Sequence, residues 1–596
     1  MQQQTNTLIC WQKCIGSIVF FISLLFSNTL FSQQTPEIKT VLQALNSGDP
    51  SYGIKIFSDS LMPLIYERRE YQPIWTSPKN IEDLLFVIND SYNDGLTPEH
   101  YHLKIIMELK NKPSLTNEEK ALYDIAMTDA GILLSSHLIW GKVQPETISS
   151  TWNFDTKEFS EDRIKLFLAP IEQEKILEAS ASIRPSNILY TGLRKSLKNF
   201  REIEAKGGYT KLQKIESIEL GDNNEFIPEL RKRLAITGNL IPVDSTVLKV
   251  DTTFRSQQEG IAIVNAPSNR PEIDTITSMI PFNPAPILDS AYVTVPLLDT
   301  ASTLYNENLK QSIIAFQKMY GLEQDGKVGK ATLKALNVPI SSRINTLRVN
   351  MERARWINHE DDDNFIFVNI ADFTLYLHKH GEWYYTTNVV VGKPYHQTPV
   401  FKAKMSYIDI NPTWNVPYSI ASKEMLPKLK KDAGYLKRQN MKLYDRANNE
   451  IDPYSVDWKT IKQKSFPYYI VQGSGPGNAL GYIKFIFPNK YSIYLHDTPS
   501  RYLFSRNSRA FSHGCIRVHE PLKLGEQLLK DQGYTLEKIE EIVKTHELKR
   551  VILMERPTVY LLYFTAMLGP DVAVHFYDDI YSRDKKVLKE LNKSLY

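Results

Sequence analysis

Residues 365–391, FIFVNIADFTLYLHKHGEWYYTTNVVV, contain the pattern that decides the fold. The stretch divides into three short runs rich in β-branched and aromatic residues, at 365–370, 374–378 and 383–391. His380-Gly381 and Gly392 separate and end these runs, as turn residues do between strands. We therefore expect residues 341–555 to form a mostly β domain, an antiparallel sandwich or barrel.

A charged segment at residues 419–466 interrupts the strand pattern and predicts a helical insertion. Residues 419–446 contain eight basic and three acidic side chains. The basic residues are Lys423, Lys428, Lys430, Lys431, Lys437, Arg438, Lys442 and Arg446, and the acidic ones are Glu424, Asp432 and Asp445. Two interpretations remain open: a solvated helical face, or a mobile lid over a site that receives an anionic substrate.

Residues 33–205 show helical periodicity. One apolar face consists of Ile81, Leu84, Leu85, Ile88 and Tyr92, and it predicts an amphipathic helix that ends near Gly95. A second apolar face continues through residues 122–133. Because this region shows no catalytic constellation, we expect a helical scaffold domain.

Residues 206–340 predict a smaller helical unit. Leu230 and Leu234 lie in one expected helix, and a second apolar face consists of Leu309, Ile313, Phe316 and Tyr320. Residues 243–303 hold many prolines and little periodicity, which indicates an extended loop or linker inserted into this unit. Residues 556–596 are expected to form a C-terminal extension that packs on the scaffold or on the β domain.

Length and composition predict a multidomain α+β protein. A chain of 596 residues is too long for one hydrophobic core. Its 42% hydrophobic and 23% charged residues are ordinary for a soluble globular protein. A formal net charge of +3 gives no reason to expect nucleic-acid binding. We expect a monomer.

The first 32 residues have the layout of a secretory signal peptide. Lys13 precedes an apolar run at 15–26, and Ser32 provides a small residue before a cleavage site. The run is too short to span a bilayer comfortably, and an uncleaved N-terminal anchor is the competing interpretation. We therefore expect export, with any membrane contact made through this leader alone.

A single cysteine outside the leader is the strongest candidate for a reactive group. Cys10 and Cys14 fall in the leader, so Cys515 has no partner for an internal disulfide in the mature protein. It lies in the run Ser512-His513-Gly514-Cys515-Ile516-Arg517, with His496 upstream. A thiol needs an adjacent base or a positive field to become a nucleophile. The surrounding side chains offer both: the positive ones are Arg501, Arg506, Arg509 and Arg517.

Two other interpretations of the cysteine are an inert residue and a metal ligand. It could be an inert buried residue whose histidine neighbours only pack. It could also bind zinc together with His496, His513 and His519, but residues two apart on a strand are poorly spaced for one metal, and no Cys-x-x-Cys or His-Glu-x-x-His is present. We therefore expect no metal and no cofactor.

At these residues the chain resembles the L,D-transpeptidases of peptidoglycan. That signature is a histidine, about fifteen residues, then Ser/Thr-His-Gly-Cys, a hydrophobic residue and Asn or Arg, and this chain fills every position. The resemblance extends to stretches similar to the large lid-bearing subfamily of Gram-negative envelopes, at 398–399, 411–417, 475–481 and 487–489. Residues 316–332 resemble a peptidoglycan-binding domain, interrupted upstream by the 243–303 insertion. The helical N-terminus resembles the scaffold region of that subfamily more weakly.

The resemblance implies roles for named residues. Cys515 would be the nucleophile and His496 its base, with the imidazole oriented by the carbonyl of residue 497. His513 would support the thiolate or the oxyanion site, and the N–H groups of Gly514 and Cys515 would bind the oxyanion. The candidate substrate-binding residues are Arg517, Ser512, Arg509 and Arg501.

The implied reaction links two peptidoglycan stem peptides in the periplasm. Cys515 would attack the bond between meso-diaminopimelate and D-Ala of a donor tetrapeptide, releasing D-Ala and leaving a thioester. A side-chain amine of a second stem would then form a 3→3 cross-link. Two alternatives remain open: an L,D-carboxypeptidase in which water resolves the same thioester, and a non-catalytic peptidoglycan-binding scaffold.

Overall fold

The computed structural model describes residues 35–148, 162–251, 290–357, 363–569 and 571–595. The expected combination of helical units and a β-rich domain is confirmed. Helices dominate the N-terminal half: α1 (Thr35–Asn46), α2 (Met62–Arg68), α3 (Pro78–Asp90), α4 (Leu103–Lys110), α5 (Asn117–Trp140), α6 (Pro145–Ile148), α7 (Asp162–Glu172), α8 (Ile176–Ser182) and α9 (Ile188–Ala205).

The N-terminal unit is a helical bundle around the long helix α5. Leu84, Leu85 and Ile88 are buried as the sequence predicts, but α3 ends at Asp90 and Tyr92 is exposed. Residues 91–95 form turns instead, and the buried carboxylate of Asp94 there accepts hydrogen bonds from Arg184 and Arg194. The expected continuation of α3 to Gly95 is therefore wrong.

The central unit packs its predicted apolar face inward. Its helices are α10 (Ile227–Ile236), α11 (Glu307–Met319) and α12 (Lys330–Leu336), followed by the long connecting helix α13 (Ile340–Trp356). Leu309, Ile313 and Phe316 are fully buried. The 243–303 stretch is not purely a loop, because β1 (Asp244–Asp251) and β2 (Ser290–Leu297) pair as antiparallel strands. The rest of that stretch lies outside the described residues.

The β-rich domain is built on one curled eleven-stranded sheet. Its path runs β16-β7-β12-β13-β15-β5-β4-β3-β17-β6, with β14 beside β5. The strands are β3 (Phe365–Asn369), β4 (Thr374–Lys379), β5 (Glu382–Gly392), β6 (Phe401–Lys404), β7 (Tyr407–Ile410), β12 (Ile483–Ile486), β13 (Leu495–His496), β14 (Ala510–Ser512), β15 (Ile516–Val518), β16 (Lys549–Ile552) and β17 (Thr558–Leu562). The three strands predicted from residues 365–391 thus form β3, β4 and β5.

Three pairs in this sheet are parallel, which corrects the expectation of an antiparallel arrangement. They are β13 with β15, β14 with β5, and β17 with β3. Helices α17 (Pro521–Leu529) and α18 (Leu536–Thr545), which periodicity did not single out, connect β15 to β16. The partners in each parallel pair are not joined by a hairpin, and local strand patterns do not reveal such non-local pairing.

The C-terminal segment is more than an extension that packs on the surface. Strand β17 lies inside the sheet between β3 and β6. After it, the hairpin β18 (Ala566–Leu568) and β19 (Val574–Phe576) meets α9 and α11, and Phe576 stacks on Tyr320 with ring centroids 5.4 Å apart. The final helix α19 (Asp584–Asn592) packs on α13. This segment therefore joins the three units.

The 419–466 segment is a mixed α/β element, which corrects the expected helical insertion. It contains α14 (Tyr418–Ile420), a π-helical turn Ala421–Met425, α15 (Leu426–Leu429) and α16 (Tyr435–Arg438). A separate four-stranded sheet follows the order β10-β9-β11-β8, from β8 (Trp414–Asn415), β9 (Met441–Tyr444), β10 (Glu450–Ile451) and β11 (Tyr469–Gln472). Met441 and Leu443 are buried while Lys442 is exposed, the alternation of a half-buried strand. Counting the charged residues of the segment does not reveal this alternation. We refer to residues 418–472 as the lid.

Among the described residues, no helix is long and apolar enough to cross a membrane. The predicted signal peptide at 1–32 lies outside the described residues.

Candidate active site

The cysteine lies on a tight turn between β14 and β15. Ser512 is buried, and its hydroxyl donates a 2.6 Å hydrogen bond to the carbonyl of Cys515 and accepts one of 3.0 Å from the N–H of Gly514. Gly514 has a φ of +120°, and an added Cβ there would lie 3.3 Å from Ile493. The turn therefore needs glycine at 514 and a small hydroxyl side chain at 512.

These contacts change two expectations from the sequence. The buried Ser512 hydroxyl is occupied inside the turn, so the structure gives it a turn-forming position instead of a substrate contact. The N–H of Gly514 is likewise engaged by Ser512. The N–H of Cys515 is left as the candidate donor to an oxyanion.

Parallel pairing brings the second predicted residue, His496, beside the turn. Strand β13 pairs with β15 so that Leu495 faces Ile516 and His496 faces Arg517. His496 is buried, and its Nδ1 lies 2.5 Å from the carbonyl oxygen of Asp497, the hydrogen bond that the resemblance implied. A carbonyl only accepts, so Nδ1 carries the proton and Nε2 is the basic nitrogen of the neutral ring.

Asp497 is itself held in place. It is buried, and its carboxylate accepts hydrogen bonds from the N–H groups of Tyr482 and Thr498 and from Arg501. Gly481 lies against it so closely that a Cβ at 481 would be 2.3 Å from the Asp497 carboxyl carbon. The carbonyl that orients His496 therefore belongs to a fixed residue.

The resting site contains a neutral imidazole and a neutral thiol. Burial, with a smaller effect of Arg517, lowers the pKa of His496 to about 3. Burial raises the pKa of the half-buried Cys515 thiol, opposed by Tyr494, Lys484 and Arg517. The positive surroundings therefore do not outweigh desolvation, and the site is arranged for proton transfer during attack instead of a preformed thiolate.

Three side chains near the thiol were missed as candidate site residues. The hydroxyl of Tyr494 hydrogen-bonds to Cys515, and the Tyr494 ring lies 5.6 Å from that of His496. The ammonium of Lys484 lies over the Tyr494 ring at 4.0 Å, and Trp414, on β8 just before the lid, interacts with the same tyrosine. A signal existed: Tyr494 is two residues before His496, and such residues share a strand face.

The three predicted arginines occupy different surroundings. Arg517 approaches the thiol, since each of the two groups shifts the pKa of the other. Arg501 is about half exposed and hydrogen-bonds to Asp497. Arg509 donates hydrogen bonds to the carbonyls of Asp372 and Phe373 and to the side chain of Asn388. It therefore links the loop before β14 to the turn between β3 and β4 and to β5. Of the three, only Arg517 acts on the pKa of the thiol.

His513 faces the lid. Its Nε2 lies 2.7 Å from the carboxylate of Glu424 in the π-helical turn, and its ring centroid lies 5.1 Å from that of His396. The lid therefore makes direct contact with the residue two positions before Cys515. This contact favours the lid interpretation of residues 419–466 over a purely solvated face.

A hydrogen-bonded clamp fixes the turn from behind. The hydroxyl of Thr398 donates to the carbonyl of Gly514 at 2.8 Å and accepts from the N–H of Gly392 at 3.0 Å. The hydroxyl of Tyr581 donates to the carbonyl of Gly392 at 2.6 Å and accepts from the N–H of Thr398 at 3.2 Å. The C-terminal segment thus contributes to positioning the thiol.

Within the described part of the chain, no group of three or more His, Cys, Asp or Glu side chains is arranged to hold a metal ion. His519, a member of the zinc alternative, packs its ring 5.0 Å from Phe504.

Comparison with protein families identifies three regions. Residues 363–543 match the L,D-transpeptidase catalytic domain of the YkuD type, residues 60–197 match a scaffold domain, and residues 290–336 match the family described as "Putative peptidoglycan binding domain". The catalytic match contains Cys515 and His496 together with the lid. It ends before β17 and Tyr581.

The chain is also similar to one curated protein and to two solved structures. A Haemophilus influenzae protein named "Putative L,D-transpeptidase" is 36% identical over 262 residues, covering 43% of this chain and 53% of the relative, so the chain spans about half the length of that protein. An L,D-transpeptidase from Stackebrandtia nassauensis is 14% identical with a TM-score of 0.18, covering 44% of this chain and 81% of its own. The Ldtfm–avibactam carbamoyl enzyme is 12% identical with a TM-score of 0.16, covering 46% and 90%. These TM-scores are too low to support a structural argument. On the family matches, the chain contains a YkuD-type L,D-transpeptidase catalytic domain together with scaffold and peptidoglycan-binding-type domains.

Proposed function

We propose that this protein is a peptidoglycan L,D-transpeptidase that forms 3→3 cross-links through a thioester on Cys515. One observation carries the proposal: a neutral imidazole, His496, is held by the Asp497 carbonyl with its basic nitrogen free for a proton, beside a turn that presents a half-buried thiol. A base and a nucleophile in this arrangement are the requirements of covalent acyl transfer.

The first half-reaction acylates the cysteine. As Cys515 Sγ attacks the carbonyl carbon that links meso-diaminopimelate to D-Ala, its proton passes to Nε2 of His496. The N–H of Cys515 binds the oxyanion that develops on the carbonyl oxygen. When the intermediate collapses, the C–N bond breaks, His496 returns the proton to the departing amine of D-Ala, and a thioester remains.

The second half-reaction reverses these proton movements. The neutral side-chain amine of an acceptor stem attacks the thioester carbon and loses a proton to His496. The new C–N bond forms, the C–S bond breaks, and the sulfur takes the proton back from His496. The positive charges of Arg517 and Lys484 near the sulfur stabilise the thiolate as it leaves.

The substrate sets the location of the enzyme. Because peptidoglycan lies outside the inner membrane, we propose that the protein acts in the periplasm after export through the leader at 1–32. Fusion of residues 1–34 to a reporter that is active only after export would test this proposal, and a reporter retained in the cytoplasm would contradict it.

The central assignment is tested with purified mature protein and disaccharide-tetrapeptide, followed by mass spectrometry. We expect an acyl-enzyme adduct on Cys515 and cross-linked dimers that have lost one D-Ala. Cys515→Ala should lose both products, by a factor of at least about 10³, because the nucleophile is absent.

The products separate the alternatives. Tripeptide monomers without dimers would identify a carboxypeptidase. A Cys515→Ala protein that retains its turnover would remove the cysteine from the mechanism. Cys515→Ser serves as the matched variant, since it keeps the size of the side chain and replaces the thiol with a much weaker nucleophile.

A further inference from the structure

The lid places one carboxylate against the catalytic turn. Glu424 lies in the π-helical turn Ala421–Met425, where Ala421 and Met425 are anchored in the lid core and Glu424 points away from it. Its carboxylate meets Nε2 of His513 at 2.7 Å. His513 is two residues from Cys515, so the two Cα atoms lie within about 7 Å of each other. π-Helical turns inside helices frequently occur at functional sites.

The other acidic side chains within 419–466 form ion pairs or hydrogen bonds with groups of the lid itself. Asp432 pairs with Arg438, Asp445 accepts from Asn449, and Glu450 pairs with Lys442 at 2.9 Å. Asp452 and Asp457 cap local turns through the N–H groups of residues 454 and 459. Glu424 differs from all of them, because its side-chain contact leaves the lid and reaches the turn that holds the thiol.

The charges around the thiol are divided between two sides. Arg517 and Lys484 supply positive charge at the sulfur, on the β-sheet side. Basic side chains outnumber acidic ones in the lid, but the one that meets the turn is the carboxylate of Glu424, whose side chain is 48% exposed. The neighbouring carboxylate, Asp497, is buried and occupied by backbone N–H groups and by Arg501. A substrate with an anionic group and one with a cationic group would therefore be drawn to opposite sides of Cys515.

We propose that Glu424 binds the ammonium form of the acceptor and so makes an amine, instead of water, the group that resolves the acyl-enzyme. This inference rests on the proposed transpeptidase function and names the substrate class of its second half-reaction. Glu424 forms a charge-assisted hydrogen bond with the incoming ammonium and holds it beside the thioester. The bound cation then gives a proton to solvent and attacks as the neutral amine. Water carries no charge, so its hydrogen bond to the carboxylate is weaker than that of the ammonium.

The readout is the ratio of dimer to tripeptide product formed from disaccharide-tetrapeptide containing meso-diaminopimelate. In Glu424→Gln, the amide oxygen can still accept the hydrogen bond from His513, but the negative charge is gone. We expect the dimer-to-tripeptide ratio to fall roughly tenfold, as for the loss of one hydrogen bond to a charged group. The KM for the acceptor should rise by a similar factor.

Two matched variants isolate the charge. Glu424→Asp keeps the negative charge on a shorter side chain and should recover part of the dimer-to-tripeptide ratio. Glu450→Gln removes a lid carboxylate that pairs with Lys442 away from the thiol, and should leave the ratio at the wild-type value. If Glu424 served only to fasten the lid, Gln would perform better than Asp, which is the opposite order.

The outcomes are distinguishable. An unchanged ratio in Glu424→Gln, or an equal fall in Glu450→Gln, would overturn the inference while leaving the transpeptidase intact. Wild-type protein that forms an acyl-enzyme but yields only tripeptide would overturn both the inference and the cross-linking step. Wild-type protein that forms no acyl-enzyme at all would overturn the proposed function itself.

Discussion

His496 in the catalytic domain and His137 in the helical bundle have the same titration behaviour in different surroundings. Both side chains are almost completely buried, and burial lowers the pKa of each to about 3. His137 lies near the end of α5, where its Nδ1 is 3.1 Å from the hydroxyl of Tyr101. His496 lies on β13, where its Nδ1 binds a backbone carbonyl and the thiol turn is adjacent.

The comparison shows that a depressed histidine pKa reports burial and does not by itself identify a catalytic group. Perturbed pKa values are concentrated at functional sites, but structural residues share them. What separates the two histidines is the neighbouring chemistry. His496 lies beside the turn that carries a half-buried thiol, with its tautomer fixed by a backbone carbonyl. His137 also has charged neighbours, Lys142 and Arg355, but its ring contacts Tyr101 in the interior of a helical bundle and no thiol is adjacent among the described residues.

The largest expected effect is a difference in turnover between variants of the two histidines. His496→Gln should lower turnover by about 10²–10⁴, the usual contribution of a general base. His137→Gln should leave turnover within about twofold of wild type, since the substitution is far from the thiol and affects the bundle through packing. Steady-state cross-linking rates measured under identical conditions check both expectations.

The thermal midpoint of each variant provides the control. Both glutamine variants should remain folded, because the amide can accept or donate one of the bonds that the imidazole made. Comparable turnover in His496→Gln and wild type, in folded protein, would contradict the assignment of His496 as the base. A large loss in His137→Gln would contradict the structural role of the bundle histidine.

The sequence singled out the candidate pair Cys515 and His496 more clearly than the residues that surround it. Cys515 and His496 were visible because a thiol, histidines and glycine in one motif have few structural explanations. The parallel pairing of β13 with β15 and the clamp from Tyr581 depend on contacts between distant segments, and local patterns carry no information about them. Only the turn geometry shows that the N–H of Gly514 donates a hydrogen bond to the hydroxyl of Ser512.

The second prediction concerns the clamp behind the thiol turn. Thr398→Val keeps the shape of the side chain but removes the hydroxyl that joins Gly514 to Gly392. The carbonyl of Gly514 is buried and would lose its hydrogen bond, which costs about 1–3 kcal/mol. We expect turnover to fall about tenfold as the position of Cys515 becomes less defined.

Thr128→Val is the matched control in the helical bundle. Its buried hydroxyl bonds to Tyr66 and Trp75, so the substitution should lower stability to a similar extent and leave turnover unaffected. Separate measurement of kcat and of the acylation rate distinguishes misplacement of the thiol from general destabilisation. Equal effects on turnover from the two valine substitutions would show that the clamp acts only through stability.

The smallest expected effect returns to what the two histidines share. In the folded protein both rings stay neutral down to about pH 3, whereas in the unfolded chain they bind a proton below about pH 6.5. The unfolded state therefore holds more protons between these values, and the free energy of unfolding decreases as the pH falls. Each histidine contributes up to about 1.4 kcal/mol per pH unit to that dependence of the free energy of unfolding on pH.

His137→Gln and His496→Gln should both weaken the dependence of the free energy of unfolding on pH, as measured by urea unfolding at about pH 6 and about pH 4. Buried carboxylates act with the opposite sign but are common to all variants, so they cancel in the difference. Equal flattening with unequal turnover would show that the two histidines share the cost of burial and that only His496 uses its neutral ring for chemistry.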